Sequence, residues 1–240
     1  MSTNIFTFQD YKSTPDPVYE VSAECFQPSP VPIIIDNGSF QTRAGWACDT
    51  DELSAPRLQF KSVAARSRGA ARSETQIGND IPNLEPLRWL LKSQFDRNVV
   101  VNFEMQELMF DYVFMHLGLT TEVSEMNTTS VTYAAYPPVV TQVCLLTCKH
   151  FCNSLHHCVK GRVEYPVVVT EAPCNPLHCR QMMSELLFEC YGVPQVSYGI
   201  DSLYSFYLNN RQRSVDSPHT GLVISSGYHC SHVLPVINGR

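Results

Sequence analysis

Apolar and polar positions near the start of the chain follow a pattern that is typical of a β-hairpin. Ile33–Ile35 form an apolar run, Asp36–Ser39 form a polar stretch that contains Asn-Gly, and a second apolar segment extends to Trp46. β-branched residues favour strands, and Asn-Gly favours a tight turn between them. The pattern predicts a hairpin over 32–47, in which Gly38 can take a positive φ.

A second pattern of this kind lies further along the chain. Gly221–Ile224 is apolar, Ser225-Ser226-Gly227 predicts a turn, and His229–Val236 predicts a partner strand. If the two turns face each other, their main-chain N–H groups form a two-sided cradle for phosphate. Asp36 could then hold a metal-bound water, and Arg43 could reach a phosphate. The alternative is an ordinary hairpin with a good turn.

Helices and strands alternate between the two hairpins, which predicts an α/β fold that contains antiparallel pairs. Asn175 at the N-cap and Pro176 at the first helical position mark the start of one helix, and Gly192 marks its end. The other predicted elements are a core helix from Asn102 to Gly118, a buried strand at Tyr165–Thr170, a short strand at Val196–Ser197 and a helix at Asp201–Leu208.

Three other stretches have weaker patterns. Residues 1–31 are predicted to be an extended lead-in, and Pro86–Phe95 to be a short amphipathic segment. Arg57–Arg72 contains no acidic residue, which predicts a solvated basic loop or, alternatively, a contact with phosphate or with an acidic partner. Its basic residues are Arg57, Lys61, Arg66, Arg68 and Arg72.

The composition limits the class of protein. Hydrophobic residues make up 44% of the chain and charged residues 17%, which is typical of a globular protein. The formal net charge of −6 argues against non-specific nucleic-acid binding by the chain as a whole. We recognise neither a signal peptide nor an apolar run of membrane-spanning length, so we expect no membrane association and mostly reduced cysteines.

Three segments resemble the actin family. Ile33–Gly45 resembles the first phosphate loop of that family, Val168–Arg180 its most recognisable segment, and Thr220–Val236 its second phosphate loop and hairpin. The resemblance implies the actin/Hsp70/sugar-kinase fold, a mixed sheet with flanking helices, of which we expect the first half only. Two stretches are predicted to be the first part and the continuation of one actin-like domain, 32–122 and 164–240.

The resemblance also implies a nucleotide-binding site. Its residues come from the two turns and from the strand that follows the first turn: Asp36, Asn37, Gly38, Ser39, Arg43, Ser225, Ser226 and Gly227. ATP is the implied ligand, and magnesium is expected only together with ATP.

Several residues depart from the actin pattern at this site. Ser225 stands where the family has a carboxylate that orders magnesium, and Asp201 stands where it has a glutamine that orients the attacking water. Arg43 replaces a lysine, Phe40 replaces a small residue, and Tyr228-His229 replace Asp-Gly. Because phosphoryl transfer depends on the metal-side charge, we expect no hydrolysis of ATP. An ATP-hydrolysing actin-like protein is the alternative.

Within the family, Met182–Pro194 and Tyr198–Leu203 are similar to nuclear actin-related proteins of INO-eighty-type chromatin-remodelling complexes. This implies a nuclear subunit that contacts the remodelling ATPase, other subunits and the nucleosome in transcription, DNA repair and DNA recombination. Since the region after Arg57 is shorter than the subunit-contacting loop of actin, we expect no filament. Because the sequence stops at Arg240, before the second half of the fold, a truncated splice product without function is a further alternative.

Residues 123–163 match nothing in the family and separate two well-matched stretches, which predicts a disordered insert. A translated retained intron is the interpretation we favour, since Val123-Ser124 can be encoded by a splice-donor-like sequence. Four cysteines in the insert lie close enough to suggest zinc: Cys144, Cys148, Cys152 and Cys158. Their spacing lacks the usual Cys-x2-Cys pair, so we expect no zinc.

Overall fold

The first predicted hairpin is present, with a longer connection than a tight Asn-Gly turn has. The computed structural model describes residues 15–21, 25, 31–49, 55–67, 75–81, 89–119, 162–211 and 220–239. Strand β1 (Ile33–Asn37) pairs antiparallel with strand β2 (Gln41–Trp46). Asn37 lies opposite Thr42, so the four residues Gly38–Gln41 connect the paired positions.

The remaining elements fall into two groups along the chain, those that end with α1 and those that begin with β9. The first group contains β3 (Leu58–Lys61), β4 (Ala64–Ser67), β5 (Gln76–Ile77), a 3-10 turn (Gly78–Asp80), β6 (Trp89–Lys92), β7 (Phe95–Asp96), β8 (Val99–Val100) and α1 (Phe103–His116). The second contains β9 (Val167–Thr170), α2 (Leu177–Glu185), a π turn (Leu186–Cys190), β10 (Val196–Gly199), α3 (Asp201–Arg211), β11 (Gly221–Ser226) and β12 (Ser231–Val236).

A five-stranded mixed sheet forms the centre, in the order β10-β9-β1-β2-β3. β10, β9 and β1 run parallel, whereas β1, β2 and β3 run antiparallel. β11 and β12 form the second hairpin, and the other strands form the small sheets β5-β4-β6 and β7-β8. The mixed sheet with helices between its parallel strands confirms the predicted α/β fold.

The core lies between the central strands and the helices. Ile33 and Ile35 of β1 and Val167 and Val169 of β9 are each at most 1% exposed, so alternate residues of two neighbouring strands enter one core. Helix side chains that join them are Met109, Phe110, Val113, Met183 and Leu187. Close packing therefore fixes the carboxyl ends of β1 and β9, where polar residues follow.

Helix α1 begins and ends as the sequence predicts. Asn102 Oδ1 accepts a hydrogen bond from the Met105 N–H at 3.0 Å and caps the helix. Gly118 follows the helix with φ of 84°, a conformation that glycine adopts readily. Nine of the 14 helical residues are buried, which confirms the predicted core helix.

The start of α2 differs from the prediction. Pro176 is the N-cap and Leu177 is the first helical residue, so the prediction that Asn175 caps this helix is wrong. The Asn175 amide instead donates to Glu171 Oε2 at 3.0 Å, across the loop that precedes the helix. Gly192, with φ of 60°, ends the helical segment as predicted.

The prediction of a basic loop at Arg57–Arg72 is largely wrong. β3 and β4 occupy residues 58–61 and 64–67, and β6 lies within the predicted amphipathic segment Pro86–Phe95. Leu58 and Phe60 are buried while the residues after them are partly exposed, so a period of two was present beneath the basic charge. Arg68 and Arg72 lie outside the described residues.

Residues 15–21 dock against the body of the fold through a polar network. Asp16 Oδ2 accepts from Asn79 Nδ2 at 2.7 Å and lies 3.1 Å from the Tyr112 hydroxyl. The same hydroxyl lies 3.3 Å from Asp80 Oδ1. Since a hydroxyl has one hydrogen to donate, Tyr112 can satisfy only one of the two carboxylates at a time.

Asp80→Asn is expected to stabilise the protein at neutral pH. Burial raises the pKa of the Asp80 carboxyl, so the ionised form is disfavoured in the folded state. The penalty is complete above the raised pKa, decreases as the pH falls below it and is gone below the ordinary carboxyl pKa, so the advantage of asparagine disappears in acid. Urea unfolding at several pH values measures this advantage. Asp96→Asn, at an exposed strand end, is the control, and an equal shift in both variants would contradict the prediction.

Candidate functional site

The two predicted turns border one cavity of about 470 Å³. The carboxyl ends of β1 and β9 form one side of it, and the turn of the β11–β12 hairpin forms the other. All eight predicted site residues line this cavity: Asp36, Asn37, Gly38, Ser39, Arg43, Ser225, Ser226 and Gly227. The sequence therefore singled out residues that the fold brings together from positions far apart in the chain.

Asp36 and Arg43 pair with each other across the first hairpin. Arg43 Nη1 donates to Asp36 Oδ2 at 2.9 Å, and the two residues lie opposite each other in the strand register. The Thr170 hydroxyl donates to Asp36 Oδ1 at 2.8 Å. Both carboxylate oxygens of Asp36 therefore have a partner, and the guanidinium of Arg43 compensates its charge.

Asn37 connects β1 to the first turn of α1. Its side-chain amide and that of Gln106 bond reciprocally, with Asn37 Nδ2 donating at 3.1 Å and Gln106 Nε2 donating at 3.4 Å. The backbone N–H of Asn37 donates to Thr170 Oγ1 at 2.9 Å. Asn37 is 8% exposed and Gln106 is fully buried, so hydrogen bonds from two sides fix the start of the first turn.

The sequence patterns do not single out Thr170 or Gln106. Thr170 ends a strand that runs parallel to β1, and polar residues at the carboxyl ends of neighbouring parallel strands meet at one edge. That signal could have placed Thr170 beside Asp36. Gln106 gives no such signal, because it is a single polar residue within a largely buried helix.

A glycine is required at position 38 because the backbone of Gln41 approaches it closely, and not because its own backbone is left-handed. Its φ is not positive, so the turn does not use the left-handed conformation that is open to a glycine here. A Cβ at this position would lie 2.6 Å from the carbonyl oxygen of Gln41, which is too close for any side chain. The carbonyl of Gly38 accepts a hydrogen bond from the Ser62 hydroxyl at 2.6 Å, which anchors the turn beside the end of β3.

Thr170→Val is expected to lower the free energy of unfolding by about 1–3 kcal/mol, because it leaves the buried Asn37 N–H without its acceptor. Thr170→Ser keeps the hydroxyl and loses one methyl group, so its expected cost is smaller than that of Thr170→Val, at most about 0.8 kcal/mol. Urea denaturation of the two variants beside the wild type gives the comparison. Equal losses in the two variants would contradict the assigned role of the hydroxyl.

The second turn closes on itself and contacts the opposite side of the cavity. The Gly227 N–H donates to the Cys230 carbonyl at 3.0 Å. His232 Nε2 lies 3.3 Å from Asn98 Nδ2, which precedes β8. Ser225 lines the cavity at the position where the resemblance implies a metal-side carboxylate. The hairpin therefore supplies hydroxyl groups to the cavity and no carboxylate from its turn.

Two further carboxylates, those of Glu171 and Asp201, line the cavity. Arg180 forms a two-pronged ion pair with Glu171, with its Nε at 3.0 Å from Oε2. Asp201 Oδ1 accepts from the backbone N–H of Ser202 at 2.6 Å, at the start of α3. Glu171 thus has a fixed cation beside it, whereas Asp201 is held by the main chain.

This set of side chains fits a phosphate better than it fits magnesium. The hydroxyls of Ser39 and Ser225 and the guanidinium of Arg43 line the cavity, and such donors suit phosphate oxygens. Magnesium prefers carboxylate and water ligands. Of the three carboxylates in the cavity, those of Asp36 and Glu171 are each paired with an arginine, and that of Asp201 accepts a main-chain hydrogen bond. Within the ranges that the structure describes, no three His, Cys, Asp or Glu side chains are arranged to hold a metal.

Two sequence predictions concern regions away from the cavity. The four cysteines of the predicted insert lie outside the described residues, so the prediction that they bind no zinc stays a prediction: Cys144, Cys148, Cys152 and Cys158. In the part of the chain that the structure does describe, no helix combines the length and apolar character that a membrane crossing needs.

Comparison with known proteins agrees with the fold. The family model described as Actin matches residues 29–240. The chain is 49% identical to "Actin-related protein 5" of Homo sapiens over 243 residues, which is 100% of this chain and 33% of that protein. It is 52% identical to the Gallus gallus protein of the same name, over 98% of this chain and 33% of that protein.

More distant relatives carry related names. The chain is 33% identical to the "Actin-like protein arp5" of Schizosaccharomyces pombe, over 94% of this chain and 25% of that protein. The chain thus spans about a third of the length of the vertebrate relatives it matches and a quarter of the yeast one. Because the family model matches most of its residues and the central sheet has the predicted architecture, the chain belongs to the actin family.

Proposed function

We propose that this chain is a nuclear actin-related subunit of an INO-eighty-type chromatin-remodelling complex. It acts as a non-filamentous module that binds partner subunits, including the remodelling ATPase, and contacts the nucleosome in transcription, DNA repair and DNA recombination. The observation that carries the proposal is the composition of the cavity, which has both phosphate-loop-like turns but a serine, Ser225, at the metal side.

Similarity to proteins named actin-related protein 5 supports this role. Identity of 49% and 52% extends over nearly the whole chain, so it includes surface residues as well as the core. Met182–Pro194, which resembles the nuclear members of the family, contains the end of α2, the π turn and the loop after it.

The charges around the cavity support binding without hydrolysis. Phosphoryl transfer needs cations that neutralise the phosphates and a residue that orients the attacking water. Ser225 brings no negative charge to hold a metal ion, and Asp201 stands where the resemblance implies a glutamine. We therefore propose that ATP, when it binds, is held at its phosphate oxygens by the two turns and Arg43, with magnesium present only as part of the nucleotide.

An exposed apolar face on the β11–β12 hairpin supports partner binding. Leu222 is 61% exposed, Ile224 is 69% exposed and Val233 is 58% exposed. Ile224 lies opposite Val233 and two residues from Leu222, so the three side chains share one face. Exposed apolar patches of this kind mark interaction surfaces. The predicted basic contact is weaker support, because Arg57 is paired with Asp49.

Affinity purification from nuclear extract tests the proposal. The tagged chain and the tagged human relative are compared, and a chain with Leu187→Asp in its core controls for capture of unfolded protein. We expect the remodelling ATPase to be enriched with the chain and with the relative, and not with the Leu187→Asp control. Recovery with neither protein would contradict the proposal. Recovery with the relative alone would favour the alternative of a splice product without function.

A further inference from the structure

An aromatic stack joins the two turns across the mouth of the cavity. The Phe40 ring of the first turn and the Tyr228 ring of the second have centroids 4.8 Å apart and planes inclined by 27°. Lys61 Nζ lies 3.6 Å from the centroid of the Phe40 ring. We call Phe40, Tyr228 and Lys61 the clasp. Its two rings stand at positions where the sequence departs from the actin pattern, one on each side of the cavity.

The clasp lies at the tip of the second hairpin, whereas other contacts lie at its base and middle. At the base, Val236 is 2% exposed and belongs to the packed part of the fold. In the middle, His232 lies 3.3 Å from Asn98. At the tip, Tyr228 is 67% exposed, and its stacking partner is Phe40 on the far side of the cavity. At the tip, the two turns therefore meet through a side-chain contact on the surface.

We propose that the clasp holds the two turns together at the tip of the second hairpin. It joins with side chains the two turns that a bridging phosphate would join through main-chain donors. Aromatic stacking and an ammonium group over a ring are both attractive at these distances. Each contact is weak, so thermal motion can break it and it can form again. The clasp therefore closes the tip reversibly. This inference concerns the chain without nucleotide and does not rest on the proposed role in chromatin remodelling.

Hydrogen–deuterium exchange of the purified chain without nucleotide tests the clasp. Phe40→Ala and Tyr228→Ala are each expected to accelerate amide exchange in residues 225–232 by about two- to tenfold, while β1 and β9 keep their rates. Phe40→Tyr and Tyr228→Phe retain the rings and are expected to leave exchange unchanged. Leu222→Ala is the matched control, because it removes an exposed apolar side chain from the same hairpin outside the clasp.

The double variant shows whether the two rings act on each other. Both truncations remove the same contact, so Phe40→Ala combined with Tyr228→Ala is expected to accelerate exchange no more than about the larger single change. Unchanged exchange in either single variant would overturn the proposal, and so would effects that multiply in the double variant. Such a failure leaves the remodelling proposal intact, since that proposal is tested by recovery of the remodelling ATPase.

Discussion

Gln106→Ala is expected to lower the free energy of unfolding by about 3–5 kcal/mol. Gln106 is fully buried, and its amide pairs reciprocally with that of Asn37 at 3.1 and 3.4 Å. Alanine leaves the Asn37 amide buried without its partner and leaves a cavity where the longer side chain was. Since a typical domain is stable by only about 5–15 kcal/mol, this is a large fraction of the total.

Chemical denaturation of the purified chain measures the effect of Gln106→Ala. Gln59→Ala is the matched control, because Gln59 donates its amide to Gln41 at 2.8 Å at a site that is only partly buried. The control is expected to change stability by less than about 0.5 kcal/mol. Equal losses in the two variants would show that burial of the amide pair does not matter, and would remove the main support we assign to the first turn.

Gly78→Ala is expected to destabilise the chain by about 2–5 kcal/mol, as the sum of backbone strain and overpacking. Gly78 has φ of 52°, which a residue with a Cβ adopts at a cost. The new Cβ would lie 2.6–3.0 Å from three atoms of the Phe60 side chain. Phe60 is 1% exposed and packs against Tyr112 with centroids 4.6 Å apart, so it has little room to move.

Thermal unfolding with two further variants separates the causes of the Gly78→Ala effect. Gly45→Ala is the control, because its φ is not positive and the nearest atom to its Cβ would be a side-chain oxygen of Asp49 at 3.1 Å. Phe60→Leu in the Gly78→Ala background makes room for the methyl group. The double variant is therefore expected to lose less than the sum of the single losses, and a full sum would contradict the steric explanation.

Elements with local signals could be predicted from the sequence. The apolar run Ile33–Ile35 before a polar turn indicated the first hairpin, Asn102 indicated the start of α1, and Gly192 indicated the end of a helical segment. Each signal depends on the conformational preferences of a few adjacent residues. The same holds for the site residues on the two turns, because a turn places its own residues together.

Elements that depend on distant partners could not be predicted in this way. β3 has only four residues, so its period of two is short, and pairing with β2 rather than this pattern makes it a strand. Gln106 lies 69 residues and Thr170 lies 133 residues from Asn37 along the chain. Such pairings are set by how the sheet and α1 pack, so no local pattern contains them.

Release of phosphate from magnesium-ATP by the purified chain is the most direct test of the claim that the cavity has both turns but does not hydrolyse ATP. Ser225 cannot replace a metal-side carboxylate, so we expect release no faster than in the buffer blank, for the wild type and for Asp36→Ala alike. Clear release by the wild type that falls to the blank in Asp36→Ala would contradict the account, because hydrolysis would then depend on this cavity.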